Sequence, residues 1–450
     1  MREETGESNV QSIIRGDGLM EAMNKKTGIR QIEMKGCFSD SLLDVMNFLA
    51  SVIYEYPRAI SFAPGRPLEE FFQVEKHVEA IRYFVSRTAQ KRGKSEDQVW
   101  QELGQYSQTN GMINDLIAQH LEVEEGIRVP EDAIIVTVGA QEAMAVILLG
   151  LFEATDFLLV GDPAYIGMTG PARIMGLRTE PVPLDDNGLN PDQLEEVVRK
   201  CLLAGRPRAV YDVPDFNNPL GSVLPRERRK ALLAICRKYG MFFIEDNAYG
   251  RYAYEGERLP TLKALDEDGT VLYIGTFSKT LFPGLRLGYL VADQRVQGTG
   301  ELLAKELSKV KSFLTVNTPP LMQAIVGGVL LERGGFLQQV LEPKIQHLRR
   351  NRDVMLQSLA TAFADMGGLV FWNRPNGGFF ITVTLPFSFG KEELSACAAD
   401  FGVIVCPMRF FTIGPGWKQQ IRLSFSYLEE EQIRVGVQRL AMYVRERMGS

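Results

Sequence analysis

The sequence has few histidines and cysteines, and neither residue type is arranged as a set of metal ligands. Its 450 residues include three histidines and five cysteines, and no pair of cysteines has the spacing of a zinc site. The histidines lie far apart and outside any HExxH pattern, so we expect no metal site. Scattered cysteines in an odd number favour reduced thiols and a cytoplasmic protein.

The sequence also lacks long apolar runs and an excess of basic residues. There is no run of about 18 apolar residues, so we expect no membrane span. Residues 1–28 are polar and mixed in charge, which predicts a mobile N-terminal arm and no secretory signal. The formal net charge of -6 argues against a nucleic acid partner, and the arm is too short and too acidic for a helix-turn-helix domain. A nicotinamide dehydrogenase is not expected either, since no GxGxxG turn follows an early strand.

What the chain does contain is a regular alternation of strands and helices. Its composition, 45% hydrophobic and 24% charged, is that of an ordinary globular protein. Strands that are apolar throughout and alternate with helices indicate a mainly parallel sheet covered by helices. We therefore predict an α/β fold with a large domain over residues 29–334. The apolar runs predicted as strands are residues 133–138, 157–160, 208–213, 241–244, 271–274 and 287–291.

The C-terminal part of the chain has a different pattern. A long polar helix is predicted for residues 335–365, and strands are predicted for residues 377–383, 403–406 and 420–425. These elements predict a smaller α+β domain over residues 335–450.

Lys279 lies in the most informative stretch of the chain, between two predicted strands. It stands among the hydroxyl residues Thr276 and Ser278, and Arg286 follows seven residues later. An amine there can form an imine with a carbonyl cofactor, and the hydroxyls and the arginine can hold the phosphate of that cofactor. This combination suggests pyridoxal 5′-phosphate, although a lone lysine before a strand is more often a surface charge.

Asp246 follows another apolar run and is suited to bind the nitrogen of a pyridine ring. A carboxylate there forms a charge-assisted hydrogen bond and raises the proton affinity of the nitrogen. Its neighbour Glu245 should point to the opposite side if the strand continues. Asn218 and Tyr249 can both donate to the phenolic oxygen of the ring. Asp-Asn and Asn-Pro pairs also occur in ordinary turns, and that alternative stays open at this point.

Other positions suit an anion or a flat ring. Ala140 and Gln141 follow Gly139 at a predicted helix start, where backbone N–H groups and the helix dipole favour a phosphate. Tyr165 can stack on the pyridine face or belong to the core. Arg422 lies among apolar strand residues and needs an anion, which is either a substrate carboxylate or an internal salt bridge.

Taken together and in this order, these motifs resemble those of fold-type I pyridoxal phosphate enzymes, specifically the class I and II aminotransferases. The resemblance covers roughly residues 55–445. Within this family, the motifs are similar to those of the kynurenine/α-aminoadipate group. It implies that Lys279 is the Schiff-base lysine, that Asp246 is the pyridinium partner and that Arg422 binds the substrate α-carboxylate. The other cofactor contacts that it implies are Asn218 and Tyr249 at the phenolic oxygen, Tyr165 stacked on the ring, and Thr276, Ser278, Arg286, Ala140 and Gln141 at the phosphate.

The resemblance also implies a homodimer with shared active sites. Tyr106 matches the position that reaches the phosphate of the neighbouring subunit, and Gly65 matches a substrate-side loop. Arg66 stands where a small or apolar residue is more usual in the family. It can recognise a polar end of the substrate, or it can pair with Glu69 or Glu70.

The segment at residues 62–67, with Phe71 and Phe72, is similar to transaminases that make dihydroxyphenylglycine-type amino acids. We therefore expect transfer of an amino group between an L-amino acid, of aromatic or arylglycine type, and a 2-oxo acid. The same cofactor also supports elimination, decarboxylation and oxidation of amino acids, and a lyase, a decarboxylase or an oxidase is the alternative.

Overall fold

The computed structural model describes residues 43–449 together with Cys37 and Asp40. The predicted arm at residues 1–28 lies outside the described residues. The chain divides into two units, Met1–Asp44 and Val45–Ser450, and all elements given below belong to the second. None of the helices in the described part of the chain is long and apolar enough to cross a bilayer.

The described residues of the second unit form fourteen α-helices. Their bounds are Val45–Glu55 (α1), Val74–Arg92 (α2), Glu96–Leu103 (α3), Asn114–Glu125 (α4), Gly139–Leu151 (α5), Ile166–Met175 (α6), Pro191–Cys201 (α7), Arg226–Tyr239 (α8), Leu262–Leu265 (α9), Leu303–Leu314 (α10), Pro320–Glu332 (α11), Gln338–Ala362 (α12), Lys391–Phe401 (α13) and Glu430–Gly449 (α14). Asn190 caps α7 by accepting the backbone N–H of Asp192 at 2.9 Å, as an Asn-Pro start predicts.

The described residues form three β-sheets. The strand bounds are Ile60–Ser61 (β1), Ile134–Thr137 (β2), Asp156–Asp162 (β3), Arg178–Asp185 (β4), Gly188–Leu189 (β5), Arg206–Asp212 (β6), Phe242–Asn247 (β7), Val271–Thr276 (β8), Gly288–Val291 (β9), Phe371–Trp372 (β10), Phe380–Thr384 (β11), Val403–Ile404 (β12), Cys406–Pro407 (β13) and Gln420–Ser424 (β14). The main sheet has eight strands in the order β2-β9-β8-β7-β6-β3-β4-β5. The neighbours from β8 to β4 are parallel, whereas β9 is antiparallel to both β2 and β8.

The predicted α/β fold is confirmed. The six apolar runs predicted as strands fall on β2, β3, β6, β7, β8 and β9. Every residue of β2, β3 and β9 is buried, as expected for strands of a sheet that is covered on both faces.

The C-terminal part contains a second, antiparallel sheet in the order β10-β11-β14-β13, which confirms a smaller α+β region. The helix predicted at residues 335–365 is α12, which begins three residues later and ends three residues earlier. The strand predicted at residues 403–406 is divided, because β12 pairs with β1 while β13 pairs with β14. The first of these pairings brings the segment around residue 60 alongside the C-terminal part. A domain boundary at residue 335 stays a prediction.

The parallel strands bring their carboxyl ends to one edge of the main sheet, outside which ligands bind in such folds. Tyr165 follows β3, Asn218 follows β6, Asp246 lies near the end of β7 and Lys279 follows β8. Strand β2 runs in the same direction as β8, because both are antiparallel to β9. Gly139 therefore lies at this edge as well.

Candidate active site

Lys279 presents its amine to the N-terminal segment of the second unit. The amine donates to the carbonyl of Gly65 at 2.8 Å. Burial, followed by the charges of Arg286 and Arg422, lowers the pKa of this amine to about 8, while the charge of Asp246 acts in the opposite direction. Lys279 therefore supplies a neutral amine at a pH where an exposed lysine is still protonated.

Asp246 is buried with one carboxylate oxygen unpaired. Tyr211 donates its hydroxyl to Oδ2 at 2.8 Å, while Oδ1 has no hydrogen-bond partner among the described residues. Burial raises the pKa of this carboxyl to about 6, and the bond from Tyr211 opposes the rise. Buried polar atoms are normally satisfied, so Oδ1 is a position where the donor of a ligand fits.

Glu245, the neighbour of Asp246, points to the other side of the sheet, as the alternation of strand residues predicts. It accepts the backbone N–H groups of Leu262 and Lys263 at 2.9 and 2.8 Å. The two adjacent carboxyls are therefore in separate environments. Asp246 faces the side of the sheet where its charge acts on Lys279.

Arg286 lies over the first residue of α5. A Cβ atom on Gly139 would be 2.6 Å from Nη2 of Arg286, and Gly139 has a φ of +73°, so glycine is the residue that permits this approach. Arg286 itself has a left-handed backbone with φ 46°, which is strained for a residue with a side chain. Its side chain is exposed. Together with the N–H groups of the first helical turn, which have no partner within a helix, it favours an anion.

Two hydroxyl residues and two residues of α5 surround the same corner. Thr276 Oγ1 donates to Ser278 Oγ at 3.1 Å and accepts the N–H of Ser278 at 3.1 Å. The side-chain amide of Gln141 donates to the carbonyl of Gly167. The backbone N–H of Gln141 is therefore the group that it can offer to an anion at the helix start. Ala140 has no polar side chain, and it too contributes only its backbone.

Arg422 on β14 is buried between an amide, a carbonyl and two aromatic rings. Its Nη1 donates to Oδ1 of Asn218 at 2.7 Å, and its Nη2 donates to the carbonyl of Ala63. The guanidinium carbon lies 4.3 and 4.7 Å from the ring centroids of Phe380 and Phe411, and Nε has no partner among the described residues. The described residues thus give Arg422 no internal salt bridge, and a buried guanidinium of this kind suits an anionic ligand.

Tyr165 and Tyr249 border the space between these charged groups. The Tyr249 hydroxyl accepts a long hydrogen bond of 3.5 Å from Nδ2 of Asn218. Burial raises the pKa of both tyrosines, and the charges of Asp246 and Arg422 act on each of them. The structure therefore brings the predicted ring-binding residues to one place.

Gly65 and Arg66 form the N-terminal side of the site. A Cβ atom on Gly65 would lie 2.4 Å from the ring of Phe380, so the segment passes this ring without room for a side chain. Arg66 pairs with Glu69 at 2.7 Å, with both side chains about half-exposed, and its guanidinium lies 4.6 Å from the ring centroid of Tyr427. The ion pair considered from the sequence is thus present, and a role of Arg66 in substrate binding stays a prediction.

Tyr106 is set apart from the other predicted residues. Its side chain is 79% exposed and borders a surface cavity of about 1190 Å³. None of its hydrogen bonds within the described residues reaches the site, and a contact of Tyr106 with another subunit stays a prediction.

Sequence reasoning missed several residues that shape the site. Tyr211 has apolar neighbours in its strand and was therefore predicted as an ordinary strand residue. Its position near the carboxyl end of β6, the strand before the one that carries Asp246, could have identified it. Phe380 follows a Gly-Gly-Phe stretch that marks a close approach of the backbone. No sequence signal identified Phe411, which lies eleven residues before Arg422 and packs against its guanidinium.

Comparison with known proteins adds a family and several relatives. The family model for aminotransferase class I and II matches residues 82–440. The (S)-3,5-dihydroxyphenylglycine transaminase of Amycolatopsis orientalis is 42% identical over 433 residues, covering 95% of this chain and 98% of that protein.

Solved structures agree with this match. The kynurenine aminotransferase of Pyrococcus horikoshii, in complex with PMP, KYN and KYA, has a TM-score of 0.79 and 29% identity, covering 96% of this chain and 100% of that one. The α-aminoadipate aminotransferase of Thermus thermophilus, complexed with N-(5′-phosphopyridoxyl)-L-leucine, has a TM-score of 0.72 and 30% identity, covering 88% of this chain and 95% of that one. All three relatives are aminotransferases, so they give no support to a lyase, a decarboxylase or an oxidase.

Proposed function

Because the chain belongs to the class I and II aminotransferase family, we propose that it takes the amino group of an arylglycine and passes it to a 2-oxo acid. The protein is a pyridoxal 5′-phosphate-dependent aminotransferase that acts on an amino acid and a 2-oxo acid. The arylglycine and the residue roles given below are the proposed part.

The unpaired carboxylate oxygen of Asp246 is the observation that carries the proposed site. Pyridoxal phosphate, when bound, supplies an aldehyde carbon and a pyridine ring that accepts electrons. Oδ1 of Asp246 has no donor among the described residues, and a protonated pyridine nitrogen is such a donor and would make a charge-assisted bond. Tyr165 would stack on the ring, and Asn218 and Tyr249 would bind its phenolic oxygen. The residues present therefore fit this cofactor.

The phosphate would be held at the corner between Arg286 and the start of α5. The Arg286 guanidinium supplies a permanent positive charge, and the hydroxyls of Thr276 and Ser278 supply donors beside it. The backbone N–H groups of Ala140 and Gln141 lie at the positive end of the helix dipole. This arrangement supports anion binding even though Ala140 offers no side-chain hydroxyl.

Lys279 and Arg422 would carry out the steps on the substrate. Arg422 binds the α-carboxylate through its nitrogen atoms, with Asn218 fixing the guanidinium at 2.7 Å. The Lys279 amine, with its pKa lowered to about 8, would hold the aldehyde group of the cofactor and would accept the proton at the substrate Cα. Asp246 would hold the proton on the ring nitrogen through its unpaired Oδ1.

Two features support an arylglycine as the amino donor. The 42% identical relative is a dihydroxyphenylglycine transaminase. In an arylglycine the ring is bonded directly to Cα, so it lies near the carboxylate, and Phe380 and Phe411 give the carboxylate-binding Arg422 an apolar surrounding. The half-exposed guanidinium of Arg66 over Tyr427 can donate to a ring hydroxyl.

Arg66→Ala should change the preference among amino donors. If Arg66 binds a ring hydroxyl, the variant should lose about tenfold in kcat/KM for hydroxylated phenylglycines, because one hydrogen bond to a charged donor is worth about 1.5 kcal/mol or more. Unsubstituted phenylglycine should be affected about twofold or less. The measurement is a panel of amino donors, with kynurenine, 2-aminoadipate and alanine included, read by spectral conversion of the bound cofactor to its amine form.

Glu69→Gln is the matched control for Arg66, because it removes the 2.7 Å ion pair and keeps the guanidinium. Its preference among donors should stay that of the wild type. Equal losses for phenylglycines with and without hydroxyls in Arg66→Ala would assign Arg66 to structure. Slow conversion of every phenylglycine by the wild type, with fast conversion of other donors, would contradict the arylglycine itself.

A homodimer in the cytoplasm is the proposed assembly and location. Tyr106 is 79% exposed and would complete the phosphate site of a second copy, as the family resemblance implies. The five cysteines are all unpaired, and four of them are buried, which supports a reducing compartment.

Mixing two defective variants should restore activity if the sites are shared. Lys279 and Tyr106 would come from different chains in each site, so a dimer of one Lys279→Ala chain and one Tyr106→Phe chain contains one complete site. Random mixing makes about half of the dimers mixed, and about a quarter of the wild-type activity should therefore return. Mixing Lys279→Ala with Asp246→Asn is the control, because both residues belong to the same chain and no complete site forms. No recovery in the first mixture beyond that of Tyr106→Phe alone, or a monomeric mass by light scattering, would contradict the shared site.

A further inference from the structure

Lys344 is buried on α12 and binds backbone carbonyls instead of a carboxylate. It is 3% exposed, and its Nζ donates to the carbonyl oxygens of Thr280 and Leu281 at 2.5 and 3.0 Å. No ion pair joins it to an acidic residue in the part of the chain that the structure describes. Burial lowers the pKa of its amine to about 8. A buried ammonium group is unfavourable unless it makes hydrogen bonds. The bonds to the two carbonyls therefore stabilise Lys344 in its buried position.

The two carbonyls belong to the turn that carries Lys279. The N–H of Leu281 closes this turn by donating to the carbonyl of Phe277 at 2.8 Å. The carbonyl of Lys279 accepts the hydroxyl of Tyr252 at 2.6 Å. Three consecutive carbonyls are therefore held by side chains from outside the turn. Carbonyls at the end of a helical turn have no partner of their own, and a cation is favourable there.

Aromatic residues and His77 pack on the chain directly after this turn. His77 stacks on Phe282 with centroids 5.6 Å apart, and Phe72 packs on the same ring at 6.3 Å. Burial, and then the charge of Lys344, lowers the pKa of His77 to about 4, so His77 is neutral at pH 7. The aromatic residues fix the chain directly after the turn, and Lys344 fixes the turn itself.

We propose that Lys344 is a positioning residue for Lys279, which it orients by binding the carbonyls of Thr280 and Leu281. The inference rests on the role proposed above for Lys279. Reacting groups must be held closely, since a displacement of about 1 Å can cost about 10²-fold in rate. Release of the two carbonyls would let the turn rotate and carry the Lys279 amine away from its contact with Gly65.

Lys344→Met and Lys344→Gln test this role. The first removes every donor, and the second keeps a neutral one. We expect Lys344→Met to lower kcat about tenfold or more, with KM changed about twofold or less, and Lys344→Gln to fall between it and the wild type. In cofactor-free protein, amide hydrogen exchange at residues 277–282 should rise about tenfold in Lys344→Met, because the turn loses two of its outside contacts.

Lys263→Met is the matched control, since Lys263 is also buried, at 5% exposed, but pairs with Asp293 at 2.7 Å. It should lower the melting temperature without changing kcat or exchange in the 277–282 turn. Wild-type exchange in Lys344→Met would overturn the proposal, as would equal loss of kcat in Lys263→Met. Failure of both Lys344 variants to fold would assign the residue to the stability of the whole unit and would also overturn it. The exchange measurement needs no cofactor, so its outcome is separate from any failure of the role proposed for Lys279.

Discussion

Lys279→Ala should lower the rate of transamination by at least about 10⁴-fold. The change removes the amine that we propose holds the aldehyde of the cofactor and accepts the proton at the substrate Cα. Arg286 and Arg422, the cations that help to lower its pKa, cannot replace it, because a guanidinium stays protonated. The measurement is single-turnover conversion of an amino donor by the reconstituted variant.

Lys263→Ala is the control for this loss, because it also removes a buried lysine. Unlike Lys279, Lys263 lies in an ion pair with Asp293 and has no role in the site. Its rate should stay within about twofold of the wild type, as for a substitution that acts only on stability. A residual rate in Lys279→Ala well above about 0.01% of the wild type would mean that another group performs the proton transfer.

Asp246→Asn should lower kcat by about 10²- to 10³-fold, since it removes a buried charge aimed at the reacting ring. It should also change how cofactor affinity depends on pH. Burial raises the pKa of Asp246 to about 6, so in the wild type the carboxyl becomes protonated as the pH falls through about 6. It then loses its attraction for a protonated ring nitrogen, and affinity should decrease. The variant should lack this decrease in a titration of cofactor binding from pH 5 to 8, a range set by the shifted pKa.

Glu245→Gln is the control for Asp246, because the two carboxyls are adjacent in sequence and face opposite sides of β7. Burial raises the pKa of Glu245 to about 8, and the two backbone N–H bonds that it accepts oppose this rise. Its replacement should leave kcat within about twofold while lowering stability, since a side-chain N–H would face one of the two backbone donors that Glu245 accepts. Equal losses of kcat in both variants would mean that Asp246 acts through the fold and not through the cofactor.

Local sequence patterns predicted the layers of the fold but not the arrangement of its strands. Continuous apolar runs such as 271–274 identify buried strands, because a sheet covered on both faces has no polar side. The position of β9 between β2 and β8, antiparallel to both, depends on contacts between distant segments. The pairing of β1 with β12 joins residues about 340 positions apart, and no local pattern reports such a contact.

The site could be predicted where a residue follows a strand, since parallel strands gather such residues at one edge. Lys279, Asp246 and Asn218 were predicted in this way, and they follow or lie near the ends of β8, β7 and β6 at that edge. Tyr211 was missed because its hydroxyl is hidden in an apolar strand. Lys344 was missed because α12 is polar overall, although helical spacing from the buried Leu341 and Leu348 places it on the inner face.

Borohydride reduction of the reconstituted protein, followed by peptide mapping, tests the central claim most directly. We expect one modified lysine, Lys279, carrying the reduced cofactor, and no modification of Lys344 or Lys263. A modified lysine at any other position, or no trapped cofactor after reconstitution, would contradict the proposed site.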